Sequence, residues 1–253
     1  SLFIWRYINN TPRLKGIRGM VRTEPKTSMP VFNVFQLTVT VLLLIGSMII
    51  IKQMQYISNK DIGLNKQVVE VRIPATHKNK TLIFKTELEK EPTVQLVSLA
   101  MASPVLEHFL LRLKYDDHGE EREYNASAFL GDEHYLDVLG IDLIEGSGFS
   151  SRSNSNLNTC VINESLARLF PNRDLVGKPL PGNEELTIVG IVKDFHYDSL
   201  KNHVQPGYVF YGDSGNYLMV RPVSGQEKTV KQTIEDIWEE LIPDYPLNRW
   251  LFF

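Results

Sequence analysis

The densest group of side chains capable of chemistry is Asp194-Phe195-His196-Tyr197-Asp198, with His203 seven residues beyond His196. Two imidazoles and two carboxylates within ten residues offer the N and O donors that Zn²⁺ takes, or an acid-base pair. The spacing matches neither H-E-x-x-H nor C-x-x-C, however. The run also follows the most strand-like stretch of the chain, Leu186 to Val192, so Asp194 and His196 are expected to make turn and loop hydrogen bonds after a buried strand. Gly177-Lys178-Pro179 has no upstream glycine at phosphate-loop spacing, and proline stands where the hydroxyl belongs. Gly146-Ser147-Gly148 lacks the G-x-S-x-G spacing of a nucleophile elbow. Cys160 sits among strand residues, where a buried structural thiol is expected. His77, His108, His118 and His134 are scattered among polar residues and are expected at the surface. No catalytic residue, cofactor-binding residue or metal ligand is therefore assigned, no cofactor is expected, and the chain is not expected to be an enzyme. A domain without such a constellation is expected to bind, couple or scaffold.

The element that governs everything else is a segment without charge. Overall the 253 residues are 43% hydrophobic and 23% charged, which is ordinary, but the average hides a segregation. Val31 to Ile51 reads VFNVFQLTVTVLLLIGSMIII, twenty-one residues with no Asp, Glu, Lys or Arg. At about 1.5 Å per residue this crosses the ~30 Å hydrocarbon core of a bilayer. It is longer than a signal-peptide core and starts too far into the chain, and Val39 to Ile51 shows no polar stripe of a soluble core helix. Pro12 to Lys26 carries five Lys and Arg residues against three in Lys52 to Lys66, so positive-inside reasoning puts the N-terminal segment in the cytoplasm. Trp5, Arg6 and Tyr7 suit a membrane interface. The net charge of -3, with no long basic stripe after the membrane segment, gives no sign of nucleic-acid binding, and no nucleic-acid partner is expected. With one cysteine no internal disulfide forms, but the roughly 200 residues beyond the helix can fold on a hydrophobic core.

Past the membrane segment, Lys52 to Tyr56 continues the helix as a stalk, and Asp61 to Asn65 reads as a turn. Val68 to Ile73 and Val94 to Met101 read as strands around a helix over Thr81 to Glu91, which suggests a βαβ unit or a split variant. Glu123 to Phe129 alternates like a strand, Asp132 is placed to cap a helix carrying Tyr135, Leu136 and Leu139, and Gly140 sits where a C-terminal glycine belongs. Short strands are expected at Ile141 to Ile144 and Thr159 to Ile162. Asn163 should cap a helix burying Leu166, Leu169 and Phe170, with Pro171 as its stop. Gly207 to Tyr211 and Tyr217 to Arg221 read as strands separated by GDSGN. Ser224 and Glu227 form a capping-box signature ahead of a helix with Val230, Ile234, Ile237, Trp238 and Leu241 on one face, and Leu247 to Phe253 returns extended.

Several segments in order carry a family resemblance. The membrane helix followed by KQMQYISNKDIGLNKQVVEV, then LDVLGIDLIEGSGFS, CVINESLARLF, VGKPL and IVGIVKDFHYDSLKNHVQP are similar to the FtsX-like, MacB-like permeases of ABC transporters, most of all the long permeases of Bacteroidetes. The likeness covers about residues 28–253, and Leu14-Lys15-Gly16 resembles the linker before the second such helix in two-repeat permeases. One departure is Gly146-Ser147-Gly148-Phe149, where these permeases often carry Gly-Arg. The resemblance implies mechanotransmission: a separate ABC-type ATPase drives the membrane helix, and the periplasmic domain acts on a substrate or adaptor. It also implies a second permease half or homodimer partner, and further membrane helices, so the chain is expected to be a piece of a longer protein.

The expected fold class is α+β: one transmembrane helix, then a βαβ-type porter-like module carrying an inserted α+β subdomain. The expected division is 1–28 cytoplasmic or interfacial, 29–52 transmembrane, 53–67 stalk, 68–119 and 205–253 the porter-like module, and 120–204 the inserted subdomain. The chain is expected in the bacterial inner membrane, with residues after about 52 in the periplasm. On the residues alone two other readings stay open: the ligand-binding domain of a single-helix membrane sensor, and a membrane-anchored hydrolase around Asp194 and His196.

Overall fold

A computed structural model describes residues 28–59, 62–104, 109–117, 119–149, 157–170, 174–197, 203–247 and 250–252. Trp5, Arg6, Tyr7 and the basic flank from Arg13 to Lys26 lie outside the described residues, as do Asp61, His108, His118, Pro171 and Asp198. The chain divides into two compact units, 1–60 and 61–253.

The first unit holds helix α1, Ser28–Asn59. Its stretch Val31–Gln55 is long and apolar enough to cross a membrane and buries none of its surface against protein. Side chains on every face are exposed, from Val31 at 69% through Leu43 at 66% to Ile50 at 61%, so no protein core shields them. Such an all-round apolar surface suits a membrane span. The polar residues that dilute the run are accommodated locally: the hydroxyls of Thr38, Thr40 and Ser47 donate to the carbonyls of Val34, Gln36 and Leu43 at 2.8, 2.9 and 2.8 Å. Each thereby satisfies in the helix itself a group that hydrocarbon would leave unpaired. The helix runs past Ile51 through the first part of the expected stalk.

The second unit is one sheet with helices on its faces. Its first half contains β1 (Val69–Arg72), a 3₁₀ turn (Ala75–Lys80), α2 (Thr81–Glu89) and β2 (Val94–Ala100). From the end of the chain it takes β10 (Tyr217–Pro222), α5 (Glu227–Leu241) and β11 (Trp250–Phe252). The strand order is β11-β1-β10-β2, all antiparallel. β10 separates β1 from β2, so β1-α2-β2 is the split form of the βαβ unit. Period-two alternation sorts these strands into two layers. Val69, Val71, Val97, Leu99, Leu218 and Val220 pack beneath Phe84 and Leu88 of α2 and Val230, Ile234 and Trp238 of α5. Ala100, Tyr217 and Met219 face the other way, under the helix α3, Tyr135–Leu139.

The second half contains β3 (Phe109–Asp117), β4 (Glu120–Gly131), β5 (Leu143–Gly146) and β6 (Thr159–Asn163). It continues with the one-turn helix α4 (Glu164–Ala167), β7 (Pro179–Leu180), β8 (Asn183–Val192) and β9 (Gly207–Tyr211). The order is β4-β9-β6-β8-β5, with β3 on β4 and β7 on β8, and the β4/β9 and β6/β8 pairs are parallel. Ala126, Ala128, Cys160, Ile162, Ile188 and Tyr208 form one face of this half, beneath Leu166 and Phe170. Phe129, Val161, Val192 and Val209 form the other face and merge with the core under α3.

Three expectations are corrected. Ser224 does not cap α5: the helix begins at Glu227 after Gln226, and the Glu227 carboxylate accepts from Gly225 N at 3.1 Å instead. Gly225, at φ +83°, turns the chain between the two boxed residues, so the reciprocal bonds cannot form. Leu169 is 43% exposed, because α4 ends after one turn and its buried stripe stops with Leu166 before resuming at Phe170. His77 and His134 are half-buried rather than surface residues. β9 hydrogen-bonds with β4 and β6. β3 and β7 are additional strands. β3 escaped the alternation test because Phe109, Leu110 and Leu111 are three successive exposed apolar residues.

Candidate functional site

The chain enters the second unit through residues 62–65, and the loop that follows β8 meets it there. Gly63 has φ +71°, a conformation glycine adopts without strain, and a Cβ on it would lie 2.8 Å from Asp194 O and 3.1 Å from Phe195 Cα. No other residue allows this close approach of two main chains. His196 N donates to Ile62 O at 2.8 Å, and Asn65 N donates to Leu139 O at 2.7 Å. Asn65 also turns the chain toward β1, its Oδ1 accepting from Gln67 N at 2.9 Å. Gly140, left-handed at φ +69° as its place after α3 demands, leaves room for Asn65. Leu64 is buried in the core under α3 with Phe195 and Tyr197. Residues 62–65 are thus gripped from two sides before the chain becomes β1.

The gripping loop is itself fastened. Asp194 accepts from Ser165 N at 2.9 Å and from Ser165 Oγ at 2.8 Å, and its carboxylate pairs with Arg168. Asp194 N donates to Glu164 Oε2 at 3.1 Å. Phe195 and Tyr197 insert into the core, with rings 5.8 and 5.0 Å from Phe129. The Tyr197 hydroxyl donates toward the Gln205 and Pro206 carbonyls at 2.8 and 3.2 Å. Asn163, buried between β6 and α4, caps α4 by accepting from Leu166 N at 2.9 Å. It also accepts from Gly207 N and donates to Gln205 O, each at 2.9 Å. The ends of β6 and β8 and the start of β9 are in this way tied to one another.

These contacts give the candidate reactive residues other work. Asp194 is occupied on both oxygens as a fastener of α4, and His196 holds the incoming chain through its main-chain N–H. His203 is exposed and its carbonyl accepts from Gln205 Nε2. Among the described residues no group of three or more His, Cys, Asp or Glu side chains could hold a metal ion. Gly146, at φ +79°, is a strand-end glycine whose Cβ would lie 2.3 Å from Val189 O, with Ser147 N bonded to that same oxygen at 2.8 Å. Gly177 and Lys178 form a turn that pairs with Ile188 of β8. Cys160 is fully buried, and burial pushes its thiol up to about 12, which keeps it neutral.

Two features escaped the sequence. Ser165 and Arg168, the partners of Asp194, lie 29 and 26 residues away, and no local pattern announces them. Asp132 stands where a helix cap is expected, but α3 starts after His134, and the Asp132 carboxylate accepts from Ser98 and Leu99 of β2.

Residues 31–237 match the family described as MacB-like periplasmic core domain. No curated protein matches the chain. Among solved structures, the periplasmic region of MacB from Actinobacillus actinomycetemcomitans is similar over 71% of this chain and 86% of its own, at 13% identity and a TM-score of 0.50. The extracellular domain of the noncanonic ABC-type transporter YknZ from Gram-positive bacteria is similar over 73% of this chain and 98% of its own, at 12% identity and a TM-score of 0.51. At these identities the structural likeness is one of fold, whereas the family match spans the greater part of the sequence, from within α1 into α5. The chain belongs to the MacB-like periplasmic core domain family.

Proposed function

We propose that this chain is the membrane helix and periplasmic domain of an ABC transporter permease. In this reading ATP hydrolysis by a partner ATPase moves α1, and the domain beyond it works on a periplasmic substrate or adaptor, by export, extraction or mechanotransmission. The N-terminal segment lies in the cytoplasm and residues after about 52 lie in the periplasm of a bacterial inner membrane. A second permease half or a second copy completes the assembly. Residues 68–119 and 205–253 act as a porter-like module and 120–204 as an inserted subdomain, with β9 as the strand that passes between them. The family and the spanning helix support this reading.

One observation carries it. Helix α1 continues unbroken to Asn59, and the chain three residues later is hydrogen-bonded at Ile62 and again at Asn65, to two separate elements of the external unit. A helix satisfies its own backbone in lipid and transmits displacement along its axis. The hydrogen bonds at residues 62–65 hold the first residues of the external unit against its packed structure, which supports a coupling role for them.

The test is a four-residue Gly-Ser insertion between Lys60 and Asp61 in the full permease with its ATPase. Hydrolysis should persist while the transport-dependent phenotype is lost, and the same insertion at the exposed Gly119 turn should be harmless. Transport that survives the insertion at residue 60 would refute the coupling role.

A further inference from the structure

The strand pairing that joins the two halves of the sheet is a narrow seam, beside the core they share under α3. β4 runs with β9 from Ser127 to Gly131 and β10 runs with β2 from Tyr217 to Val94, but β2 meets β4 only where Ala100 opposes Gly131. Two main-chain bonds flank that pair, Met101 N to Leu130 O at 3.2 Å and Asp132 N to Leu99 O at 3.1 Å. Glycines crowd the same line: a Cβ on Gly131 would fall 2.3 Å from the Tyr135 ring, and one on Gly215 would fall 2.0 Å from Ala100 O.

A buried charged group, Asp132, crosses the seam. Asp132, the first residue beyond β4, is 2% exposed. Its carboxylate accepts from Ser98 Oγ, Leu99 N and Lys85 Nζ, each at 2.7 Å, and all three donors belong to the first half. A fourth bond, from His134 N at 3.1 Å, fixes the carboxylate from its own side. The Lys85 side chain is itself only 15% exposed and its second carboxylate neighbour, Glu89 at 3.7 Å, is more distant. A buried ion pair is a poor source of stability compared with apolar packing, but its directional bonds select one arrangement of the parts that carry it.

The incoming chain straddles the same seam. Ile62 is bonded to His196, beyond β8 of the second half, and within a few residues the chain has become β1 of the first half. We propose that the two halves hinge along the β2/β4 seam, and that Asp132, clasped by Lys85, Ser98 and Leu99, is the latch that holds the hinge closed. Resting on the coupling reading above, this identifies what a displaced α1 would act upon: force at residues 62–65 loads the latch.

The experiment uses the full chain in lipid nanodiscs, spin-labelled at Lys228→Cys in the first half and Glu185→Cys in the second, both exposed positions. With Asp132 present the label-to-label distance should be single and narrow. Asp132→Asn and Lys85→Met should each broaden it or add a second, longer distance. Hydrogen exchange on the same samples gives the second readout. Amides of Leu99 and Asp132 should exchange at least about tenfold faster in the variants, while those of β1 with β10 and of β6 with β8 keep their rates. An unchanged distance together with unchanged seam exchange would overturn the latch. So would acceleration of both halves together, which would make Asp132 a general stabiliser. No ATPase is involved, so failure here leaves the coupling reading standing, and failure of the insertion at residue 60 leaves the latch standing.

Discussion

The two halves of the external unit are built by different means. In the first, strands that alternate in period two present one layer to α2 and α5 and another to α3, so apolar layering holds the assembly. In the second, strand ends and loops are tied by side chains bonded to distant main chain: Asn163 to residues 205 and 207, Asp194 to Ser165, and the Tyr124 hydroxyl to Pro181 O at 2.5 Å. Layering spreads stability over many interchangeable contacts, whereas fastening concentrates it in a few bonds with fixed geometry. The loop that grips the incoming chain belongs to the fastened half, where position matters more than bulk.

The largest effect should come from removing bulk in the layered half. Trp238 is 3% exposed, packs edge-on against Phe84 at 6.0 Å and donates from Nε1 to Tyr245 O at 2.7 Å. Trp238→Ala should cost about 3–5 kcal/mol, read as a lowered urea midpoint by circular dichroism. A loss under about 1 kcal/mol would mean that layering does not carry this half. Next comes a fastener. Asn163→Ala removes the α4 cap and leaves Gly207 N without its partner, so about 2–3 kcal/mol should be lost. Hydrogen exchange should rise first at residues 164–166 and 205–207, and uniform acceleration would erase the distinction between the halves.

The last effect appears only in alkali and concerns the thiol buried in the fastened half. Cys160 is displaced upward from 9.0 to about 12, and Tyr208 from 10.0 to about 12, each first of all because burial disfavours its anion. Both are neutral in the fold. Their contribution is complete below about pH 9, and it is lost between pH 9 and 12, as the unfolded chain ionises and the folded one resists. At pH 8 alkylation of Cys160 should be about a thousandfold slower in the native chain than in urea, from the difference in thiolate fraction. Comparable rates would show that this half opens readily.

Much of the fold was legible in the residues. Lack of charge from Val31 to Ile51 defines the spanning helix, because charge in hydrocarbon is costly whatever the surroundings. Gly140 and Asn163 cap as their types require, since capping involves only neighbours in the chain. Asp194 and His196 are the loop hydrogen-bonders that their place after a strong strand suggests. The partners of Asp194, Ser165 and Arg168, are ones that spacing along the chain cannot reveal.

Local sequence, then, determined what each segment is: the helix that suits a membrane span, the alternating strands, the turns at glycine and asparagine. Tertiary structure alone decided who pairs with whom. Every strand edge offers the same N–H and C=O pattern, so nothing within β10 or β9 says that one enters between β1 and β2 and the other between β4 and β6. That choice is made when side-chain layers from distant segments fill one another, and the same choice brings Asp132 to Ser98, 34 residues back along the chain.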